Sequence, residues 1–198
     1  MTLNFNFMKI GLLGGTFNPI HMGHLILAEE CWYKLALDKV LFIPAFIPPH
    51  KDVEGDVSPA DRLNMVRLAL EGDKRFEISP YELDKGGTSY TVETLRHFRR
   101  AYGEPTHLFF ITGADSAESL SMWKAPEEIL KLATFVIATR PGWDKDSPYN
   151  DRVTRLEMPE IGISSSMIRQ RIKLCEPIDY LVPARVLDYI RNKGLYRE

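Results

Sequence analysis

Two histidines three residues apart, His21 and His24, close the stretch GGTFNPIHMGH that begins at Gly14. Side chains at that spacing share one face of a helix, and Gly23 between them lets a ligand or another backbone come close. Loop closure, metal binding and phosphate handling all suit such a stretch. Either imidazole alone reads as the solvated first turn of an ordinary helix; the pair narrows the choice. Zinc would need further ligands, yet no acidic or cysteine partner follows at recognisable spacing, and the glutamate of an HExxH helix is missing. Dinucleotide binding of the dehydrogenase type would need G-x-G-x-x-G. Here the glycines are Gly11, Gly14 and Gly15, and the second apolar run ends at Pro44 rather than in an acid. There is no Walker lysine motif either. A phosphate cradle remains, in which imidazole donors, backbone amides and a helix N-terminus stabilise charge growing on phosphorus without a covalent nucleophile.

Four further segments carry compatible side chains. In FIPAFIPPHK (42–51) the prolines stiffen the chain ahead of His50 and Lys51; alone, it reads as a rigid connector with a solvated lysine. GGTSYTVETL (86–95) sets two flexible glycines and the hydroxyls of Thr88, Ser89 and Tyr90 before a helix, which ordinary capping also explains. TGADS places Asp115 after an apolar run, with Trp123 eight residues on, either a turn plus a packing tryptophan or part of a pocket. ISSSMIRQR (163–171) starts a helix with serines and puts Arg169 four residues after Ser165, on the same face. That is an anion site or an N-cap with an exposed arginine.

The elements between these segments say where they lie. KIGLL (9–13), KVLFIP (39–44), RFEIS (75–79), HLFFIT (107–112) and TFVIAT (134–139) are short apolar runs of buried strands. Helical patterns separate them. Leu25, Ala28, Trp32 and Leu35 share a face over 22–37. Ser58 and Pro59 cap and start a helix over 60–70, and further helices fall at 90–102 and 126–132. Strand alternating with helix predicts a Rossmann-like α/β fold: a doubly wound parallel sheet with helices on both faces. After a polar loop at 142–150, the tail reads as one short strand and two helices. The first helix starts at Ser164, the second at Pro183, stopping at Gly194. Residues 160–198 therefore form a helical C-terminal part of a single domain, 8–198. Residues 1–7 read as an alternative start or an unstructured leader. In such a sheet the strand ends bind ligand where neighbouring connections diverge. Gly14 and Gly113 would meet there if the first and fourth strands are neighbours.

Composition bounds the partners. The 198 residues are 44% hydrophobic, enough for a packed core. The 25 basic and 27 acidic side chains nearly cancel, which argues against a nucleic-acid grip. No apolar run approaches membrane-spanning length. Cys31 and Cys175 fit no metal spacing, and a reducing, cytoplasmic compartment is the simplest reading.

H-x-G-H after a first strand resembles the nucleotidyltransferase superfamily. GGTFNPIHMGH, PPHK, GGTSYTV, GADS with Trp123, and ISSSMIR, in this order, resemble the bacterial nicotinate-nucleotide adenylyltransferases, a resemblance running from Met8 to the C-terminus. It implies transfer of AMP from ATP to nicotinate mononucleotide, giving deamido-NAD and pyrophosphate, with Mg²⁺ carried mainly by the ATP phosphates and no metal ligand from the protein. By the same resemblance His21, His24 and Arg169 are catalytic. Gly14, Gly15, Thr16, Phe17, Arg140, Ser165 and Ile168 join them around ATP. Asn18, Lys51, Thr88, Ser89, Tyr90, Asp115 and Trp123 would hold the nicotinate nucleotide, Trp123 by stacking on the pyridine ring. The family often has Asp where Asn18 stands, so Asn18 is assigned hydrogen bonding only. A homo-oligomer is compatible with all of this. Two rivals are another H-x-G-H enzyme, acting on phosphopantetheine or an alcohol phosphate, and a silent nucleotide-sensing module. SSS-x-x-R and GGTSYTV favour the pyridine nucleotide over the first, and the intact histidines speak against the second.

Overall fold

Four of the apolar runs are too continuous to belong to strands with one wet face, and each becomes a strand covered on both sides; RFEIS gives only a short edge strand with Glu77 exposed. A computed structural model describes residues 7–49, 57–113, 119–139 and 149–197. Its strands are β1 (Lys9–Gly15), β2 (Lys39–Pro44), β3 (Phe76–Ile78), β4 (His107–Gly113), β5 (Thr134–Thr139) and β6 (Val153–Glu157). They form one sheet in the order β3-β2-β1-β4-β5-β6, and every neighbouring pair is parallel. The helices are α1 (Met22–Lys34), α2 (Pro59–Leu70), α3 (Tyr81–Lys85), α4 (Thr91–Tyr102), α5 (Pro126–Leu132), α6 (Ser165–Lys173) and α7 (Ala184–Lys193).

Strand periodicity sorts the core into two layers. Ile10 and Leu12 of β1 face Val92, Leu95, Phe98 and Ile129 of α4 and α5. Leu13 faces the other way, toward Ala28, Cys31, Met65, Ile168 and Val186 of α1, α2, α6 and α7. Gly11 leaves room on that second face: a Cβ there would lie 2.8 Å from Leu37 Cδ1 and 2.9 Å from Ile111 Cδ1. The predicted caps are present. Ser58 Oγ accepts from the Asp61 amide, and Gly194 ends α7 in the left-handed conformation. The tail is tied to the sheet domain rather than hung from it. The Met22 amide donates to Leu181 O at 2.9 Å, and the Tyr189 hydroxyl donates to Asp61 Oδ1 at 2.7 Å.

Some boundaries differ from the sequence expectation. β1 runs two residues further, through Gly14 and Gly15, because both pair with Ile43 and Pro44 of β2. α1 stops at Lys34 rather than 37, where Ala36 turns left-handed at φ 49° and the Leu37 amide reaches back to Trp32 O. The leader expectation and most of the 142–150 loop lie outside the described residues. Phe7 is described, with its ring 5.6 Å from that of His107. Among the described residues no helix is long and apolar enough to cross a membrane.

Candidate active site

Because β4 lies beside β1 and their onward connections diverge, the crevice of the sheet opens at Gly14–Gly15 and Gly113. The chain leaves β1 in a tight loop. Phe17 adopts φ 48° and folds its ring back, 1% exposed, so close to Gly15 that a Cβ on Gly15 would stand 3.0 Å from it. Phe17 can therefore offer a ligand its backbone but not its side chain. The loop then delivers His21 in an extended conformation at the N-cap of α1.

His21 and His24 stack with ring centroids 3.7 Å apart at 27°, and Phe17 meets the His24 ring edge-on at 5.0 Å. The His21 amide donates to His24 Nδ1 at 3.2 Å. A nitrogen that accepts carries no proton, so His24 is assigned the tautomer with its proton on Nε2, the atom able to donate outward. Burial pushes the His21 imidazole down to about 4. Burial, then the neighbouring His21, holds His24 well below the ordinary histidine range. Both rings are neutral donors near pH 7 in the unliganded protein. His21 is 6% exposed, and its Nδ1 is buried without a hydrogen-bond partner among the described residues. A buried polar atom left unpaired calls for an explanation, and at the mouth of the sheet a hydrogen bond to a ligand supplies one.

The helix terminus contributes less than its position promises. The Met22 amide is engaged by Leu181 O, and the His24 amide by His21 O at 2.9 Å. Both of these first-turn amides are therefore spoken for within the protein, and the imidazoles are the polar groups left facing the crevice.

Gly23 is held against the His21 ring. A Cβ there would sit 3.0 Å from Nδ1 and 3.1 Å from Cε1. Gly23→Ala should change the melting temperature little, since alanine's helix preference of up to about 1 kcal/mol is offset by crowding against the buried His21 ring. Turnover should nevertheless fall roughly tenfold as the ring is displaced. Paired thermal and kinetic measurements check this, and an unaltered turnover would show that the ring's placement is not critical.

α6 lies across the same loop. Ser164 caps it, accepting from the Met167 amide. Ser165 Oγ donates to Pro19 O at 2.9 Å and Arg169 Nη1 donates to Asn18 O at 2.9 Å. Two of the expected ATP contacts are thus fastened first to the backbone before His21. A guanidinium carries five N–H donors in a planar fork, a geometry that suits phosphate oxygens. Ile168 is fully buried in the core, and its amide donates to Ser164 O. Its side chain packs α6 in place. Asn18 is 4% exposed, and its Oδ1 accepts from the Tyr196 hydroxyl at 2.7 Å. That oxygen anchors the C-terminal segment.

The expected pyridine-side residues gather on the other flank. Ile47 pairs with Thr88, the Ser89 amide donates to Ile47 O at 2.8 Å, and Ser89 Oγ accepts from the Phe46 amide at 2.9 Å. Trp123 donates from Nε1 to Ser119 Oγ and meets Phe110 and Phe135 at 6.0 and 5.7 Å. Glu93 bridges the two stretches. It pairs with Lys85 and Lys124 at 2.7 Å each, and those two cations hold its carboxyl down to about 2. Lys124 also lies 4.2 Å above the Tyr90 ring, and Lys85 donates to Thr88 O. Behind Ser89, the buried Glu82 accepts from Thr94; burial raises its carboxyl above the usual range while the Thr94 and Ser89 hydroxyls pull it back. His50, Lys51, Asp115 and Arg140 lie outside the described residues. Arg62, Glu82, Glu93 and Tyr196 escape the sequence reading because nothing in their local spacing separates them from solvated helix charge or a terminal aromatic. Among the described residues no three or more His, Cys, Asp or Glu side chains are placed to hold a metal ion.

Known proteins share both chain and fold. Residues 12–171 match the family described as Cytidylyltransferase-like. A protein of Halalkalibacterium halodurans named “Probable nicotinate-nucleotide adenylyltransferase” is 45% identical over 190 residues, covering 96% of this chain and 91% of that one. One of the same name from Moorella thermoacetica is 42% identical over 199 residues, with 96% and 92% covered. The structure of Plasmodium falciparum nicotinic acid mononucleotide adenylyltransferase complexed with NaAD has the same fold, with a TM-score of 0.78 at 18% identity over 96% and 97% of the two chains. Fold and site together define a nucleotidyltransferase. Within that class, the chain belongs to the nicotinate-nucleotide adenylyltransferase family.

Proposed function

We propose that this protein transfers the adenylyl group of ATP to nicotinate mononucleotide, releasing pyrophosphate and forming nicotinate adenine dinucleotide. The observation that carries the reading is the stacked, neutral His21–His24 pair at the switch point of the sheet, with a buried nitrogen still unpaired. A 5′-phosphate oxygen of the acceptor attacks the α-phosphorus. A P–O bond forms on that side as the bond to the β-phosphate oxygen breaks, and pyrophosphate leaves with the electron pair. Phosphate is nucleophilic near neutral pH, so no general base is required. The rate comes from alignment and from donors aimed at the charge that develops. His24 Nε2–H and His21 serve that role, with Arg169 on the polyphosphate. Mg²⁺ carried by the ATP phosphates would neutralise part of their charge, and the imidazole and guanidinium donors here suit phosphate oxygens rather than a metal.

On the acceptor side, the Thr88–Ser89–Tyr90 stretch receives the nicotinate carboxylate and Trp123 faces the pyridine. Lys51, Asp115 and Arg140 are assigned to phosphate and ribose by sequence. Asn18 and Ile168 support the loop and α6. The reaction needs neither nucleic acid nor membrane, and a cytoplasmic setting suits the two free cysteines, Cys31 buried and Cys175 exposed. The test is pyrophosphate release from Mg-ATP with nicotinate mononucleotide, nicotinamide mononucleotide and phosphopantetheine in parallel. Release with the pyridine nucleotides is expected. Release with phosphopantetheine alone would overturn the assignment.

A further inference from the structure

Arg62 sits on α2 beside Asp61, where sequence pattern gives a solvated charge, yet it is 1% exposed. Its guanidinium donates from Nη1 to Thr16 O at 2.7 Å and Ala45 O at 2.6 Å, and from Nη2 to Phe46 O at 3.2 Å. Nε has no hydrogen-bond partner, and no carboxylate pairs with the side chain, among the described residues. Burying a cation against neutral carbonyls alone is costly, and an apolar side chain of similar length would fill the space at less expense. The three carbonyls explain what a cation gains there. Thr16 belongs to the loop that delivers His21. Ala45 and Phe46 open the loop that leads to Ile47 and, through Ser89, to the pyridine-side wall. The Ala45 amide also donates to Gly15 O at 2.8 Å, where β1 and β2 end side by side.

We infer that Arg62 is a positioning residue that fixes the triphosphate loop and the acceptor loop at one separation, so that the two phosphates meet in line. It touches no substrate, and its fork is what spans both loops: a guanidinium is planar with donors at fixed angles, whereas an ammonium is a single point. The inference rests on the adenylyl-transfer reading for its kinetic consequence but not for its structural one.

The experiment compares Arg62→Met, which keeps length without charge or donors, with Arg62→Lys, which keeps the charge but not the fork. Well below the melting temperature, Arg62→Met should lower kcat by about 10–100-fold, since small misalignments of reacting groups cost that much. KM for either substrate should change less than about threefold, because alignment rather than binding is lost. Arg62→Lys should recover part of the loss. Hydrogen exchange of the Ala45 amide should quicken by about tenfold or more in Arg62→Met while amides within α2 keep their protection. If Arg62→Met fails to fold, the same kinetic and exchange comparison on Arg62→Lys decides. Wild-type kcat with a protected Ala45 amide, or a lower melting temperature alone, would overturn the inference. If wild type releases no pyrophosphate with any acceptor, the function falls, and the exchange measurement still decides whether Arg62 joins the loops.

Discussion

Replacing His24 with alanine is expected to lower turnover about 10²–10³-fold, the usual loss for one donor to a developing charge. The expectation comes from geometry. Nδ1 is committed to the His21 amide, so Nε2 keeps its proton and points away from the backbone. Phe17 and His21 hold the ring from both sides, and it needs no reorganisation when charge forms. KM for ATP should rise much less than kcat falls, because the donor is worth most where negative charge peaks. His21→Ala should lose a similar factor. The double variant should lose less than the product of the two, since the rings stack directly on one another. His21 also packs against His24 and Gly23, so melting temperatures are needed to separate lost packing from lost chemistry. Steady-state kinetics of the three variants, with melting temperatures alongside, checks the claim. Near-wild-type turnover in both single variants would remove the histidines from the mechanism.

How much of this can be read from the chain follows from which interactions are local. The apolar runs at 9–13, 39–44, 107–112 and 134–139 announce buried parallel strands because both faces of each are covered, and the helices between them fix the alternation. His21 and His24 are legible because their spacing is a helical turn and their chemistry is rare. α3 is not, since five residues are too few to show a period. Arg62 is hidden for a different reason. Its partners lie at Thr16, Ala45 and Phe46, and only the packing of α2 onto the two loops brings them within reach. Tyr196 is a still longer connection, meeting Asn18 across nearly the whole chain. Ile168 lies between Ser165 and Arg169 in the motif, yet the helical turn points its side chain into the core while theirs face the loop. Residue type and spacing announce donors to a ligand well, and donors to distant backbone poorly.

Stability should fall as the pH is lowered from about 6.5 toward 4, and much of the fall should trace to this pair. An unfolded imidazole takes up a proton near 6.5, whereas folded His21 does so only near 4. Between those values the unfolded chain binds more protons, so unfolding becomes easier as pH drops and harder as it rises. For His21 alone the full difference is on the order of 3 kcal/mol, and His24 has the same sign. Urea unfolding of wild type and His21→Asn at pH 7.5 and 4.5 should show the variant losing less stability on acidification. The same buried neutrality predicts the response to ligand. A bound diphosphate places negative charge against the rings and raises their affinity for a proton. Binding of nicotinate adenine dinucleotide, whose bridging diphosphate stays doubly negative throughout this range, should therefore draw in up to about one proton at pH 6 and almost none at pH 8. Calorimetry in buffers of different ionisation enthalpy measures that uptake. Loss of the buffer dependence in His21→Asn or His24→Asn would tie it to the pair. Equal heats in every buffer at pH 6 for the wild type would mean that the imidazoles never meet the phosphates.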